Sequence, residues 1–262
     1  MKLNFAKLSP TQNMTIIVTD PVPRDLQAAV SARLMAYNSV YAEQVGFLEE
    51  PSLAGARSRL QMMGGEFCGN ASMSMAAYLA WQDGLADGCT ADIPLEVSGA
   101  EGVVNCRIER SGNTYLGTVN MPLPKSFGTF EGRPIVFFDG IAHIIVLDGQ
   151  MTRAEAEAKI AGWCDLLQME ALGILLVNHN LSAFLPLVYV KETGSAVWER
   201  GCGSGTAAIG AYTALQGRGD LSLSQPGGTI RVQAQCDAGH IRRICITGRV
   251  QLAATGTAWI DL

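Results

Sequence analysis

The sequence predicts an α+β fold of two pseudo-symmetric domains, each a mixed β-sheet or barrel wrapped around a central apolar helix. Three observations point there: strand-like runs dominate the chain, two helix-like segments carry no charge, and those two segments repeat each other. The 262 residues suit two domains of about 130 residues each.

In chain order the strand-like runs are "LNFAKL", "MTIIV", "QVGFLEE", "RLQMM", "VVNCRIER", "YLGTVNM", "PIVFF", "HIIVL", "LVYV", "AVWE", "TIRVQA" and "RRICITG". Several alternate or are rich in β-branched residues, and Gly, Pro or Asn usually bounds them. Two helical stretches, Arg24 to Tyr37 and Thr152 to Gln168, have charges on one side and apolar residues on the other, the pattern of surface helices. The other two, "GNASMSMAAYLAWQ" after Cys68 and "GSGTAAIGAYTALQ" after Cys202, hold no charged residue. Neither has a solvent face, so each should be buried all round by sheet.

These two segments match at an offset of 134 residues: Cys68 with Cys202, Gly69 with Gly203, Ala77 with Ala211, Tyr78 with Tyr212, and Gln82 with Gln216. An internal repeat of this period argues for two domains of like topology. The boundary falls near "NMPLPKSFG", Asn120 to Gly128, where prolines and a glycine break the strand pattern. The domains expected are therefore 1–120, completed by the last strand at about 251–262, and 121–250. Pseudo-symmetry would set the two cysteine-bearing helix starts facing each other across a cleft, the usual place for a small-molecule site.

Composition narrows the function classes. Apolar residues make up 48% and charged residues 16%, as in a compact globular protein, and the net charge of −5 offers no footprint for nucleic acid. No apolar run has the length to cross a bilayer, and "MKLNFAKLSPTQN" lacks the apolar region of a secretory signal, so no membrane partner is expected and the expected location is cytoplasmic. Seven dispersed cysteines, odd in number, argue against a disulfide framework. The three histidines, His143, His179 and His240, show no ligand spacing, so no metal site is expected.

The chemistry then rests on Cys68 and Cys202. Each stands at a helix start followed by glycine, where unpaired N–H groups bind anions and favour thiolate, so either thiol is expected to ionise below the reference of about 8.5. An amino acid between them, its carboxylate on both helix starts, would have the negative charge of α-deprotonation stabilised there. A thiolate on one face and a thiol on the other would invert the centre. Such racemisation needs no cofactor, and nothing marks the Schiff-base lysine or phosphate loop of a pyridoxal enzyme. Competing readings stay open: small buried cysteines, or a non-catalytic amino-acid binder or thiol redox sensor. A phosphate site lacks its Walker or Rossmann motif. His143 and His179 read as structural, because the thiols already supply both proton-transfer roles.

Cys68-Gly69-Asn70 and Glu199-Arg200-Gly201-Cys202-Gly203-Ser204-Gly205, with "SPTQNMTIIV", "EQVGF" and "QPGGTIRV", resemble the diaminopimelate epimerase family along nearly the whole chain. Within it, "NMTIIV", "EQVGFLE", "GGEFCGNASMS" and "WERGCGSGTAAIG" are most similar to the histidine racemase branch that supplies D-histidine for staphylopine-type metallophores. The resemblance implies a diaminopimelate epimerase-like fold, Cys68 and Cys202 as catalytic acid and base, and no cofactor. It implies substrate contacts from Asn13, Gln44, Asn70 and Glu199 and from the backbone N–H groups of Gly69, Asn70, Gly203 and Ser204. A homodimer is the oligomer it suggests.

Glu43 is a secondary candidate, facing a substrate imidazole or solvent, and Arg200 another, as a structural ion pair or a substrate contact. The sequence departs from the epimerase pattern where Gly140-Ile141-Ala142-His143 replaces Gly-Asn-Pro-His and Ile174 replaces an expected asparagine. Partners for a second zwitterionic end are then missing. Diaminopimelate epimerase, or a racemase of another amino acid on this fold, remains the alternative; Asn70 and Cys202 count against a proline racemase or a phenazine-type isomerase.

Overall fold

A computed structural model describes residues 1–147 and 149–262. The chain divides into two compact units, one of Met1–Asn120 with Thr247–Leu262, the other of Met121–Ile246.

The first unit holds β1 (Lys2–Pro10), β2 (Thr15–Val18), α1 (Arg24–Met35), β3 (Gln44–Glu49), β4 (Ser58–Met62), α2 (Gly69–Gln82), β5 (Thr90–Val97), β6 (Val103–Ser111) and β7 (Thr114–Asn120). Its strands hydrogen-bond in sequence order, β2 with β3 and β4 with β5 parallel, the other neighbours antiparallel. Every residue of α2 from Gly69 to Ala80 is buried, and α2 packs against all seven strands. Its small side chains let the strands come near. Of its buried hydroxyls, Ser72 Oγ donates to Cys68 O at 2.8 Å, whereas Ser74 Oγ has no hydrogen-bond partner among the described residues. Helix α1 lies outside, covering β3 with Val30 and Leu34 against Val45 and Phe47.

The second unit holds β8 (Ser126–Phe130), β9 (Arg133–Phe137), β10 (Ile141–Leu147), α3 (Arg153–Leu166), β11 (Ala171–Val177), β12 (Phe184–Val190), β13 (Ser195–Trp198), α4 (Gly203–Ala214), β14 (Asp220–Gln225), β15 (Gly228–Asp237) and the first residues of β16 (His240–Trp259). Strands β8 to β13 form a six-stranded sheet in which only β10 and β11 are parallel, joined by the crossover through α3. Thr152 and Glu155 close a capping box at the start of α3, whose Ile160 and Trp163 cover the sheet. Ten of the twelve residues of α4 are buried, and the helix packs on β14, β15, β9 and β10. The rest of β16 returns to the first unit, where Val250–Trp259 pairs antiparallel with β1.

The four expected helices are present, α1 and α3 ending two residues before the sequence suggests. Strands β5, β8, β11 and β14 were absent from the expected runs: Pro94 interrupts β5, β8 lies in the supposed linker, and serines dilute β14. Ile174 does not front a site. It is fully buried between β11 and α3, so its replacement of an asparagine carries no information about substrate. Among the described residues no helix is long and apolar enough to cross a membrane.

Candidate active site

The sequence-derived site residues fall into two clusters, one per unit. In the first, Cys68 is the N-cap of α2, held extended at φ −131° and ψ 112°, so its sulfur turns back to accept from Ala71 N–H at 3.4 Å. That donor is one of the N–H groups a helix start leaves without an intrahelical partner. The thiol donates to Gln44 Oε1 at 3.0 Å, and Gln44 Nε2 donates to Thr15 Oγ1 at 2.7 Å. Thr15 in turn donates to Asn13 O at 3.1 Å. Parallel pairing of β2 with β3 sets Thr15 opposite Gln44, which puts the Asn13 turn beside the thiol. Glu43 accepts from Met14 N–H at 3.1 Å and so braces the same turn. Gly69 and Asn70 open α2 and are both buried.

The loop bearing Cys68 is fixed from behind by the turn after β5. Ser98 Oγ donates to Glu66 O and accepts from Met62 N–H, each at 2.9 Å. Next to it Gly99 has φ +70°, and a Cβ there would lie 2.3 Å from Phe67 N and 2.7 Å from Glu66 C. Those are backbone atoms, so the loop itself would have to move. For the acid–base role expected of Cys68, Gly99→Ala should lower turnover by about one to two orders of magnitude, the scale of an ångström-sized misplacement at a reacting group. Gly102→Ala is the matched control: φ is +85°, with nothing within 4 Å of the added Cβ. It should carry a similar backbone penalty, about 1 kcal/mol, and keep wild-type kcat. Equal losses of kcat in the two variants would refute the bracing.

The second cluster repeats the cap. Cys202 begins α4 at φ −106° and ψ 108°, and its sulfur accepts from Gly205 N–H at 3.3 Å. Glu199 and Arg200 follow β13, while Gly203 and Ser204 open α4. Ser204 Oγ lies 3.6 Å from the sulfur. The expectation of a low thiol pKa fails at Cys202, which is 2% exposed. Burial raises it well above the ordinary thiol value, and the Glu199 carboxylate, which accepts from the thiol, raises it further. Ser204 and the Gly205 N–H pull the other way without reversing it. Desolvation wins because a thiolate so enclosed loses its water and gains only the Ser204 hydroxyl and the Gly205 N–H in return.

Arg200 meets the β14–β15 turn: its guanidinium donates to Pro226 O at 3.3 Å, and its carbonyl accepts from Gly227 N–H at 2.7 Å. Sequence reasoning missed the groups that hold the cysteines from a distance along the chain, Thr15, Ser98, Thr206 and Gln225. Thr15 in "NMTIIV", Thr206 in "GSGTAAIG" and Gln225 in "QPGG" each lie in a motif, whereas Ser98 has no such signal.

The fold occurs among solved structures. A predicted epimerase from Pseudomonas aeruginosa superposes with a TM-score of 0.72 at 16% identity, covering 99% of this chain and all of that one. A probable proline racemase from Agrobacterium radiobacter gives 0.69 at 14% identity, covering 99% and 93%. The sheet-rich α+β fold is the one shared with these structures, and relatives matched along nearly the whole chain make the protein a PLP-independent amino-acid racemase. The chain belongs to the histidine racemase family: the family model described as the histidine racemase CntK N-terminal domain matches residues 2–259. A histidine racemase of Staphylococcus aureus is 30% identical over 99% of this chain and 98% of its own.

Proposed function

We propose that the protein interconverts L- and D-histidine without a cofactor, with Cys68 and Cys202 as the two bases. The observation that carries this reading is the duplicated cap: in each unit a cysteine sulfur at the start of an uncharged helix accepts the N–H three residues on. Beyond each sulfur, the N–H groups of Gly69 and Asn70, and of Gly203 and Ser204, are suited to the substrate carboxylate, whose charge grows as the α-proton leaves. Asn13, Gln44, Asn70 and Glu199 would hold the zwitterion, and Glu43 or Arg200 the substrate's outer parts. The raised proton affinity of Cys202 suits it to be the acid of the resting enzyme, with Cys68 as the base once its thiol, which donates to Gln44, has given up its proton. After turnover the roles reverse, because the enantiomer formed presents its proton to Cys202.

Histidine is the substrate favoured by membership of the family, and its D form would enter opine-type metallophore assembly. Incubation in D2O with single amino acids, followed by NMR of the α-proton and chiral chromatography, tests the proposal. L-Histidine should lose its α-proton signal and yield D-histidine, while diaminopimelate and proline keep theirs. Exchange of another amino acid with histidine inert would transfer the reading to that substrate.

A further inference from the structure

Gln225 ends β14, only 8% exposed, with both ends of its amide committed. Its Oε1 accepts from the backbone N–H of Cys202 at 2.6 Å, and its Nε2 donates to Thr206 Oγ1 at 3.0 Å. Thr206 Oγ1 then donates to Cys202 O at 2.7 Å. The Cys202 N–H requires an oxygen, which fixes which way the amide points. One side chain thus grips the cysteine on both sides of its Cα, directly at the N–H and through Thr206 at the carbonyl. Cys68 has a different arrangement, since Gln44 meets its sulfur rather than its backbone.

We propose that Gln225 is the positioning residue of the second half-site: it locks Cys202 in the extended cap conformation that keeps the sulfur against Gly205 N–H. The inference rests on the reading of Cys202 as an acid/base group. With φ and ψ of a cap residue pinned from both sides, only χ1 is left to move the sulfur. Release would let the cap unwind, and the sulfur would drift out of its enclosure, gaining water and losing its aim. Burial is the first cause of the high proton affinity of Cys202, so a loosened Cys202 should ionise more readily as well as point less well.

Gln225→Leu removes both hydrogen bonds at similar volume; Thr206→Val cuts only the carbonyl arm and is the milder variant should the first fold poorly. In Gln225→Leu, kcat should fall by on the order of tenfold or more with KM within about twofold, and the alkaline limb of its pH profile should move to lower pH. Iodoacetamide should modify Cys202 several-fold faster relative to Cys68 than in the wild type. Thr206→Val should shift both readouts the same way by a smaller factor, and the two substitutions should be non-additive because they break one chain of bonds. Unchanged alkylation ratios in folded Gln225→Leu, or in Thr206→Val if the first does not fold, would overturn the proposal. Altered alkylation with racemisation insensitive to both cysteines would keep the clamp and reject the catalytic reading instead.

Discussion

Cys68→Ser and Cys202→Ser should each cut the conversion of L- to D-amino acid by on the order of 10³-fold, within the range of positioned acid–base catalysis. A serine hydroxyl does not ionise in the working range of a thiol, so it can neither remove an α-proton nor return one at a useful rate. The substitutions should spare the fold, because both positions are N-caps. The sulfur accepts from Ala71 N–H in one case and Gly205 N–H in the other, and serine is among the residues preferred for that task. Unfolding midpoints at or above the wild-type value would therefore accompany the loss. The variants should also differ from each other in D2O. With one thiol left, an α-proton can be taken and a deuteron returned on the same face, so each variant should exchange one enantiomer without inverting it. If the two-base assignment holds, Cys68→Ser and Cys202→Ser exchange opposite enantiomers. Exchange of the same enantiomer by both, or full turnover in either, would exclude it.

The parts of this site that could be read from the chain are those set by local sequence. Uncharged small-residue helices have to be buried, and both are. A cysteine just before such a helix was expected at its first turn, and both cysteines are caps. Surface helices α1 and α3 were equally visible from their charges. What the chain concealed depends on strands that arrive later. Gln225, at the end of β14, and Ser98, just after β5, reach the cysteine loops from 23 and 32 residues past their partners. Although "QPGG" marks Gln225 as part of a motif, nothing nearby in the chain links either residue to a cysteine. The proton affinity of Cys202 was misjudged for a related reason. Helix-start N–H groups are a sequence-level inference, whereas the burial that outweighs them is a property of packing. The sequence divides β16 into two expected strands, "RRICITG" and one at about 251–262, because Gly248 breaks the pattern, whereas the structure runs them together as one strand of twenty residues. Ile174 was placed by resemblance alone, and the alternation of β11 turns it toward α3.

His143 should make the second unit sensitive to mild acid. Its ring is fully buried in β10, and neither nitrogen hydrogen-bonds to another described residue. Space for it comes from the neighbouring strand, where Gly173 stands in register with it; a Cβ on Gly173 would lie 2.1 Å from Nδ1. Burial lowers the imidazole pKa from the ordinary 6.5 to about 3. The depressed value means that the fold holds the ring neutral while the unfolded chain binds a proton below about pH 6.5. Stability from this group is complete above that pH and drains away as pH falls toward 3, by up to about 1.4 kcal/mol per unit. Between pH 7.5 and 5 the loss should be about 2 kcal/mol, a large share of the 5–15 kcal/mol typical of a domain. Carboxylates also titrate in this range, so the comparison is between wild type and His143→Leu by urea unfolding at both pH values. The variant should lose about 2 kcal/mol less than wild type across that interval, its carboxylates being unchanged. Parallel losses in the two proteins would mean that the ring finds a partner, or water, when it takes up a proton.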